Sequence, residues 1–221
     1  MQAVLVVDCS ATGIRFAAFD GTAPGELSLI GKGHVLRCGD DVEFFARSAV
    51  SSHPEILRSR AADDGFDHDK AMARMLRWIG QYRGVKIVAV GHCAKHGDRR
   101  YPWSMLLTDS MVDDLEAANR SEQAHYLKAM RLLRERLPSI PQVACFDSAS
   151  RGSALQLVHR DASMDESSTD RRMLQTDRDK AIAADTLRCI ERSPTSAVIH
   201  AFPASMPESQ RDLPSKLALT A

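Results

Sequence analysis

Apolar residues in this chain gather in short uninterrupted runs that stop on a polar or turn residue. Val4-Leu5-Val6-Val7 ends on Asp8, and Val143-Ala144-Cys145-Phe146 ends on Asp147; Val85–Val90 ends on Gly91-His92. Runs of this length, without alternation, predict strands covered on both faces of a sheet. In such sheets ligands bind just beyond the carboxyl ends of the strands. Asp8 and Asp147 are therefore expected to project into one crevice, where paired carboxylates suit a metal ion or a phosphoryl transfer.

The periodicity extends this pattern. Ala3–Val7 reads as a strand, Cys9–Gly13 as a tight turn and Ile14–Phe19 as a second strand. Leu27–Leu36 is a less regular third strand, with Gly31 and Gly33 as expected bulges. Met72, Met75, Leu76 and Ile79 share one face of a helix over Asp69–Tyr82, a core stripe rather than a binding surface. Thr108 is placed to cap a helix over Asp109–Ala118, whose acidic first turn suits the helix dipole. A longer helix spans about Ser121–Leu137 and ends at Pro138, before the strand Val143–Phe146. The order is a three-stranded meander followed by helix, strand, helix, strand. Downstream, Asp161–Asp170 reads as an acidic, serine-rich loop and Asp177–Glu191 as a helix.

Composition adds a boundary. All 12 glycines lie between Gly13 and Gly152, and the last 69 residues contain none, which divides the chain into 1–150 and 151–221. Lys+Arg and Asp+Glu number 29 each, so no net field favours nucleic acid or anionic lipid. The five cysteines are scattered and odd in number, as expected of reduced thiols in a cytoplasmic protein. No stretch has the length and apolarity of a membrane span or a secretory leader.

Four motifs, in order, carry a resemblance. Val4–Ser10 followed by Ile14–Asp20 is similar to the opening VLVLNCGSSSLKFALFD of acetate kinases, and Val90–Asp98 to their VGHRVVHGG. Leu107-Thr108-Asp109 with the acidic helix after it, and Pro141–Ala149 against PQVAVFDTA, complete the match over 1–150. Ser168–Leu174 and Ala197–Leu213 resemble later segments of the family more loosely. The resemblance implies an α/β fold, a ribonuclease-H-like (actin-like ATPase) half-domain with a reduced second half. It also implies ATP-dependent phosphoryl transfer to a short-chain carboxylate such as acetate, with Mg²⁺, giving an acyl phosphate. Family members are close to twice as long, and a shortened, degenerate copy is expected.

By this resemblance Asp147 matches the catalytic aspartate, and Asp8 stands where the family has a metal-associated asparagine. Ser10, Thr12, His92, Cys93, His96, Gly97 and His125 fall at or beside positions that contact substrate or phosphate. Cys93 replaces an arginine, and a thiol offers no fixed positive fork. Ala201–Ser209 has no glycine, and Pro203 and Pro207 remove amide donors from the adenosine loop. The expectation is weak or lost activity; the alternative is a non-catalytic protein for small-anion binding, dimerisation or regulation. The partners implied are a short-chain carboxylate or phosphate and a second copy of the chain, with neither nucleic acid nor membrane.

Other features read more plainly. His92, Cys93 and His96 have a spacing that suits either a metal or an ordinary strand-to-loop turn. Lys95, Arg99 and Arg100 form a basic cluster that is either a solvated loop or a replacement for the lost arginine charge. Tyr101-Pro102-Trp103 reads as loop packing. Arg131, Arg134 and Arg136 read as an exposed helix face.

Overall fold

A computed structural model describes residues 1–23, 25–51, 53–61, 65–82, 84–94, 101, 103–117, 124–146 and 168–193, the side chains of 124 and 168–175 excepted. Eight strands form one mixed sheet, with helices on both faces. The strands are β1 (Gln2–Ser10), β2 (Gly13–Asp20), β3 (Ser28–Cys38), β4 (Asp41–Ser48), β5 (Glu55–Arg60), β6 (Lys86–Ala94), β7 (Met105–Leu106) and β8 (Gln142–Phe146). The helices are α1 (His68–Gly80), α2 (Asp109–Ala117), α3 (Ala124–Arg136) and α4 (Ser168–Glu191).

The sheet order is β5-β4-β3-β2-β1-β6-β8-β7. β1 to β5 form an antiparallel meander, while β6 runs parallel to β1 and β8 parallel to β6. This is the arrangement of an actin-like, ribonuclease-H-like subdomain. Its centre is the apolar runs of the sequence, and Ala3–Val7 are at most 2% exposed. Because side chains alternate along a strand, Leu5 and Val7 face one side and Val4 and Val6 the other. The first side is covered by α1, α2 and α3, through Met72, Met75, Val112, Leu127, Met130 and Leu133. The second is covered by α4, through Ile182, Ala183 and Ile190 against Val4, Val6, Ala17, Phe19, Val143 and Cys145.

Each expected strand and helix of residues 1–146 that falls on described residues is present, with ends moved by a few residues. Residues 121–123 of the expected Ser121–Leu137 helix lie outside the description. Of the acidic segment Asp161–Asp170, the residues from 168 onward are helical and open α4. Three strands went unread. β4 and β5 extend the meander outward with charged, half-solvated sequences, DVEFFARS and EILRSR, and β7 is two residues long. The bulge also differs in place. Partners of Ala18 and Phe19 jump from Gly31 to Leu29, so Ile30 is the extra residue, while Gly33 pairs regularly. Gly33 is small for another reason: a Cβ there would lie 2.4 Å from the Phe45 carbonyl oxygen and 2.6 Å from Phe16 Cζ.

Polar side chains then fix the helices. Asp67 accepts the Lys70 amide at 3.0 Å and caps α1. Thr108 Oγ1 accepts the Met111 amide at 3.2 Å and caps α2, as the sequence suggests. Thr108→Ala should therefore lower stability by about 1 kcal/mol in chemical denaturation, with Thr108→Ser near wild type. The arginines expected on an open face are ties between helices. Arg131 clasps Asp113 and Glu116 of α2 at 2.6 Å, Arg134 reaches Asp109 and the Leu107 carbonyl, and Arg136 reaches Asp69 of α1. No helix among the described residues is long and apolar enough to cross a membrane.

Candidate functional site

The carboxyl ends of β1, β6 and β8 come together by register. Asp8 pairs with Cys93, and Cys93 with Cys145, so three neighbouring strands present these positions in a row. Alternation puts all three on the α4 face, since Asp8 continues the series Val4, Val6 and Cys93 the series Ala89, Gly91. β8 runs one residue beyond this row to Phe146. Asp147 itself lies outside the described residues, as do His96, Gly97 and the basic cluster Lys95, Arg99 and Arg100.

Above this row stands a residue that the sequence reading missed. On α4, Arg178, Ile182 and Thr186 recur every four residues and therefore share one face of the helix. Ile182 and Thr186 lie over Gly91, where a Cβ would be 3.1 Å from Ile182 Cγ2 and 2.3 Å from Thr186 Oγ1. Arg178, two turns earlier, lies over the strand ends. Its Nη1 donates toward Asp8 Oδ2 at 3.4 Å and its Nη2 toward Cys93 Sγ at 2.6 Å. The Asp8 and Arg178 side chains are 19% and 15% exposed, so the pair is largely but not wholly removed from water. Lys32 of β3 donates to Thr176 Oγ1 at 2.5 Å and anchors the same stretch of α4.

The other expected site residues divide between the two faces. His92 is the sequence neighbour of Cys93, so it faces the opposite side. It is buried there, its Nε2 2.8 Å from Gln142 Oε1. Burial, reinforced by the nearby Arg134, lowers its pKa to about 4, and the Gln142 contact opposes this only in part. The ring is therefore neutral at pH 7 and donates Nε2–H to the amide oxygen. Ser10 and Thr12 belong to the β1–β2 hairpin, where Ser10 Oγ donates to the Gly13 carbonyl at 3.2 Å. The Thr12 carbonyl accepts the Arg37 amide at 2.8 Å.

His125, at the start of α3, stacks on His68 at 5.6 Å between ring centroids. His68, also missed, donates Nε2–H to the Ser10 carbonyl at 2.8 Å and joins the hairpin to α1 and α3. Its pKa is lowered, mainly by burial and further by His125 and Lys128. The thiols are protonated where their titration is shifted: burial pushes Cys145 up to about 12 and also raises Cys9, which lies beside Asp8. Among the described residues, a positive charge at the strand ends comes from the Arg178 guanidinium of α4.

Among the described residues, no group of three or more His, Cys, Asp or Glu is placed to hold a metal ion. Tyr101 packs by donating to Asp114 Oδ2 at 2.5 Å, whereas Trp103 is 67% exposed. Trp103 helps line a cavity of about 400 Å³ with Met105, Leu106, Asp185, Arg188 and Cys189. That cavity is formed by β7 and the end of α4, and Asp8, Cys93 and Arg178 take no part in it.

The sequence model of the Acetokinase family matches residues 3–155. The acetate kinase of Rhodopseudomonas palustris (strain ATCC BAA-98 / CGA009) is 30% identical over 151 residues, which are 66% of this chain and 37% of that protein. The acetate kinase of Nitrobacter hamburgensis is 30% identical over 152 residues, 67% of this chain and 37% of that protein. The chain thus spans about 37% of the length of these relatives. Among solved structures, a propionate kinase from Francisella tularensis superposes with a TM-score of 0.57 at 19% identity, over 67% of this chain and 38% of its own. Porphyromonas gingivalis acetate kinase gives 0.56 at 20% identity, over 67% and 38%. At such identities the superpositions speak for the fold. α4, with Arg178, lies beyond the segment that the family model matches.

Proposed function

From the premise that this chain belongs to the acetokinase family, we propose that it is a phosphotransferase acting on a short-chain carboxylate, with low activity. In the reaction a carboxylate oxygen bonds to the γ-phosphorus of ATP while the bond from that phosphorus to the β–γ bridging oxygen breaks. An acyl phosphate and ADP result. The observation supporting this reading is the strand register that lines up Asp8, Cys93 and the end of β8, just before Asp147, at one edge of the sheet. Asp147 acts beside the acceptor in this proposal, and its carboxylate orients the reacting groups. The domain division at residue 150 and the reading of the chain as a reduced copy belong to the same proposal.

Low activity follows from charge. Phosphoryl transfer relies on positioning and on neutralising the negative oxygens of the transferring group. Position 93 contributes a buried thiol side chain where the family's guanidinium fork would stand, and losing one such contact costs about 10²–10³ in rate. Magnesium, when bound, would supply positive charge to offset that of the nucleotide's phosphates. The described residues do not fit that ion at Asp8: the carboxylate already faces the Arg178 guanidinium, which would repel a divalent cation. The same contact favours a second reading, a protein that binds small anions without transferring phosphate.

Hydroxamate trapping of acyl phosphate from acetate and Mg-ATP tests the proposal. Formation above background that Asp147→Asn lowers by about 10²-fold supports an enzyme. No nucleotide binding at millimolar ATP in calorimetry sinks the transferase reading and leaves anion binding.

A further inference from the structure

Arg178 occupies an unusual place for a structural arginine. It projects from the helix that closes one face of the sheet and ends at the carboxyl edge of β1 and β6, where ligands of such sheets bind. Its two described contacts are unequal. Asp8 offers a carboxylate oxygen, at the loose distance of 3.4 Å. The other, the Cys93 sulfur, is a weak acceptor. An oxyanion oxygen taking the place of the sulfur would convert that weak contact into a charge-assisted hydrogen bond, and a guanidinium can hold a carboxylate or phosphate in two-pronged fashion. Asp8 keeps the cation aimed across the strand ends, and the residual exposure of both side chains leaves the pair accessible.

We propose that Arg178 is an oxyanion-binding residue of the strand-end cleft, positioned by Asp8, and that it holds a carboxylate or phosphate group without a divalent metal ion. The proposal rests on the reading above only in taking the strand ends as the ligand cleft. It assigns the anion's cation to α4, outside the segment that identifies the family. The shared ligand chemistry is the oxyanion, and separate titrations tell a carboxylate from a phosphate.

Calorimetric titration of the intact chain with sodium acetate, and separately with inorganic phosphate, is the test, each run in EDTA and in excess Mg²⁺. Binding of at least one anion in EDTA, changed less than about twofold by Mg²⁺, is expected. Arg178→Gln should weaken it about 10- to 100-fold, the range for a hydrogen bond to a charged group. Arg178→Lys keeps a cation on a similar stem and should bind detectably but less tightly than wild type. Binding that requires Mg²⁺, binding that ignores Arg178→Gln, or binding of neither anion at millimolar concentration overturns the proposal. If Arg178→Gln does not fold, wild-type affinity retained by Arg178→Lys overturns the assignment to Arg178, and the EDTA comparison still tests metal independence. Hydroxamate trapping run in parallel separates the two ideas. Anion binding that follows Arg178 without acyl phosphate refutes the transferase alone, and acyl phosphate formation with anion binding indifferent to Arg178 refutes this assignment alone.

Discussion

Gly91→Ala should cost about 3 kcal/mol, the upper end of the range for an overpacked core site. The added Cβ would stand 2.3 Å from Thr186 Oγ1 and 3.1 Å from Ile182 Cγ2. Neither atom has an easy retreat. Thr186 is wholly buried, its hydroxyl donates to the Ile182 carbonyl at 2.8 Å and lies 3.7 Å from Cys145 Sγ, and its branched Cβ limits the rotamers open to it. The helix itself must therefore rise, thinning the contacts of Ile182, Ala183 and Ile190 with the sheet. Urea denaturation of wild type, Gly91→Ala, Thr186→Ala and the double variant gives the coupling directly. The double variant should recover most of the loss, because removing Oγ1 clears the closest clash. A neutral Gly91→Ala, or a double variant no better than the single, would mean that α4 does not rest on β6 here. Arg178 is carried by the same helix two turns away, so anion binding should fall along with stability.

Reading the chain unaided succeeds where burial is two-sided. β1, β2, β6 and β8 are legible because both of their faces meet helices, which leaves runs such as Ala3–Val7 with hardly a polar residue. β4 and β5 are illegible for the converse reason. They lie at the solvated end of the meander, where Arg58 pairs with Glu43, and Arg74 of α1 pairs with Glu55 while its guanidinium covers Phe44. A sequence that satisfies its edge with ion pairs does not announce itself through apolar periodicity.

The site shows the same division between local and distant causes. Asp8 is conspicuous as the charge that ends an apolar run. The cation facing it is not, because Arg178 lies 170 residues from Asp8 and 85 from Cys93. Two signals were nonetheless present. Val4, Val6 and Asp8 share one face of a strand, and Arg178, Ile182 and Thr186 share one face of a helix. Nothing in the sequence alone says that these two faces meet. The pair His92-Cys93 carries a related lesson: adjacent strand residues point oppositely, so a motif written continuously in sequence is split across the sheet.

Acidification through His92 is the second large effect, and its direction follows from where the imidazole sits. The folded ring, buried against Gln142, titrates at about 4, whereas an unfolded histidine titrates near 6.5. Above pH 6.5 neither state binds the proton, and stability is unaffected by this group. Between 6.5 and 4 the unfolded chain is protonated and the folded chain is not, so unfolding takes up a proton and stability falls with pH. Below 4 both are protonated and the loss levels off, at about 3 kcal/mol for a shift of this size. Carboxylates held low by partners, such as Glu43 beside Arg58, also lose their contribution on acidification, so the comparison must be with a variant. His92→Gln retains a donor for Gln142 Oε1 and does not titrate. Its stability, measured by denaturation from pH 7 to 4, should decline by about 3 kcal/mol less than wild type. Parallel curves would place the imidazole in contact with water. The outcome bears on the cleft as well. An imidazole that stays neutral down to about pH 4 cannot lend charge to an anion at the strand ends. Among the described residues, that leaves the attraction to the Arg178 guanidinium of α4.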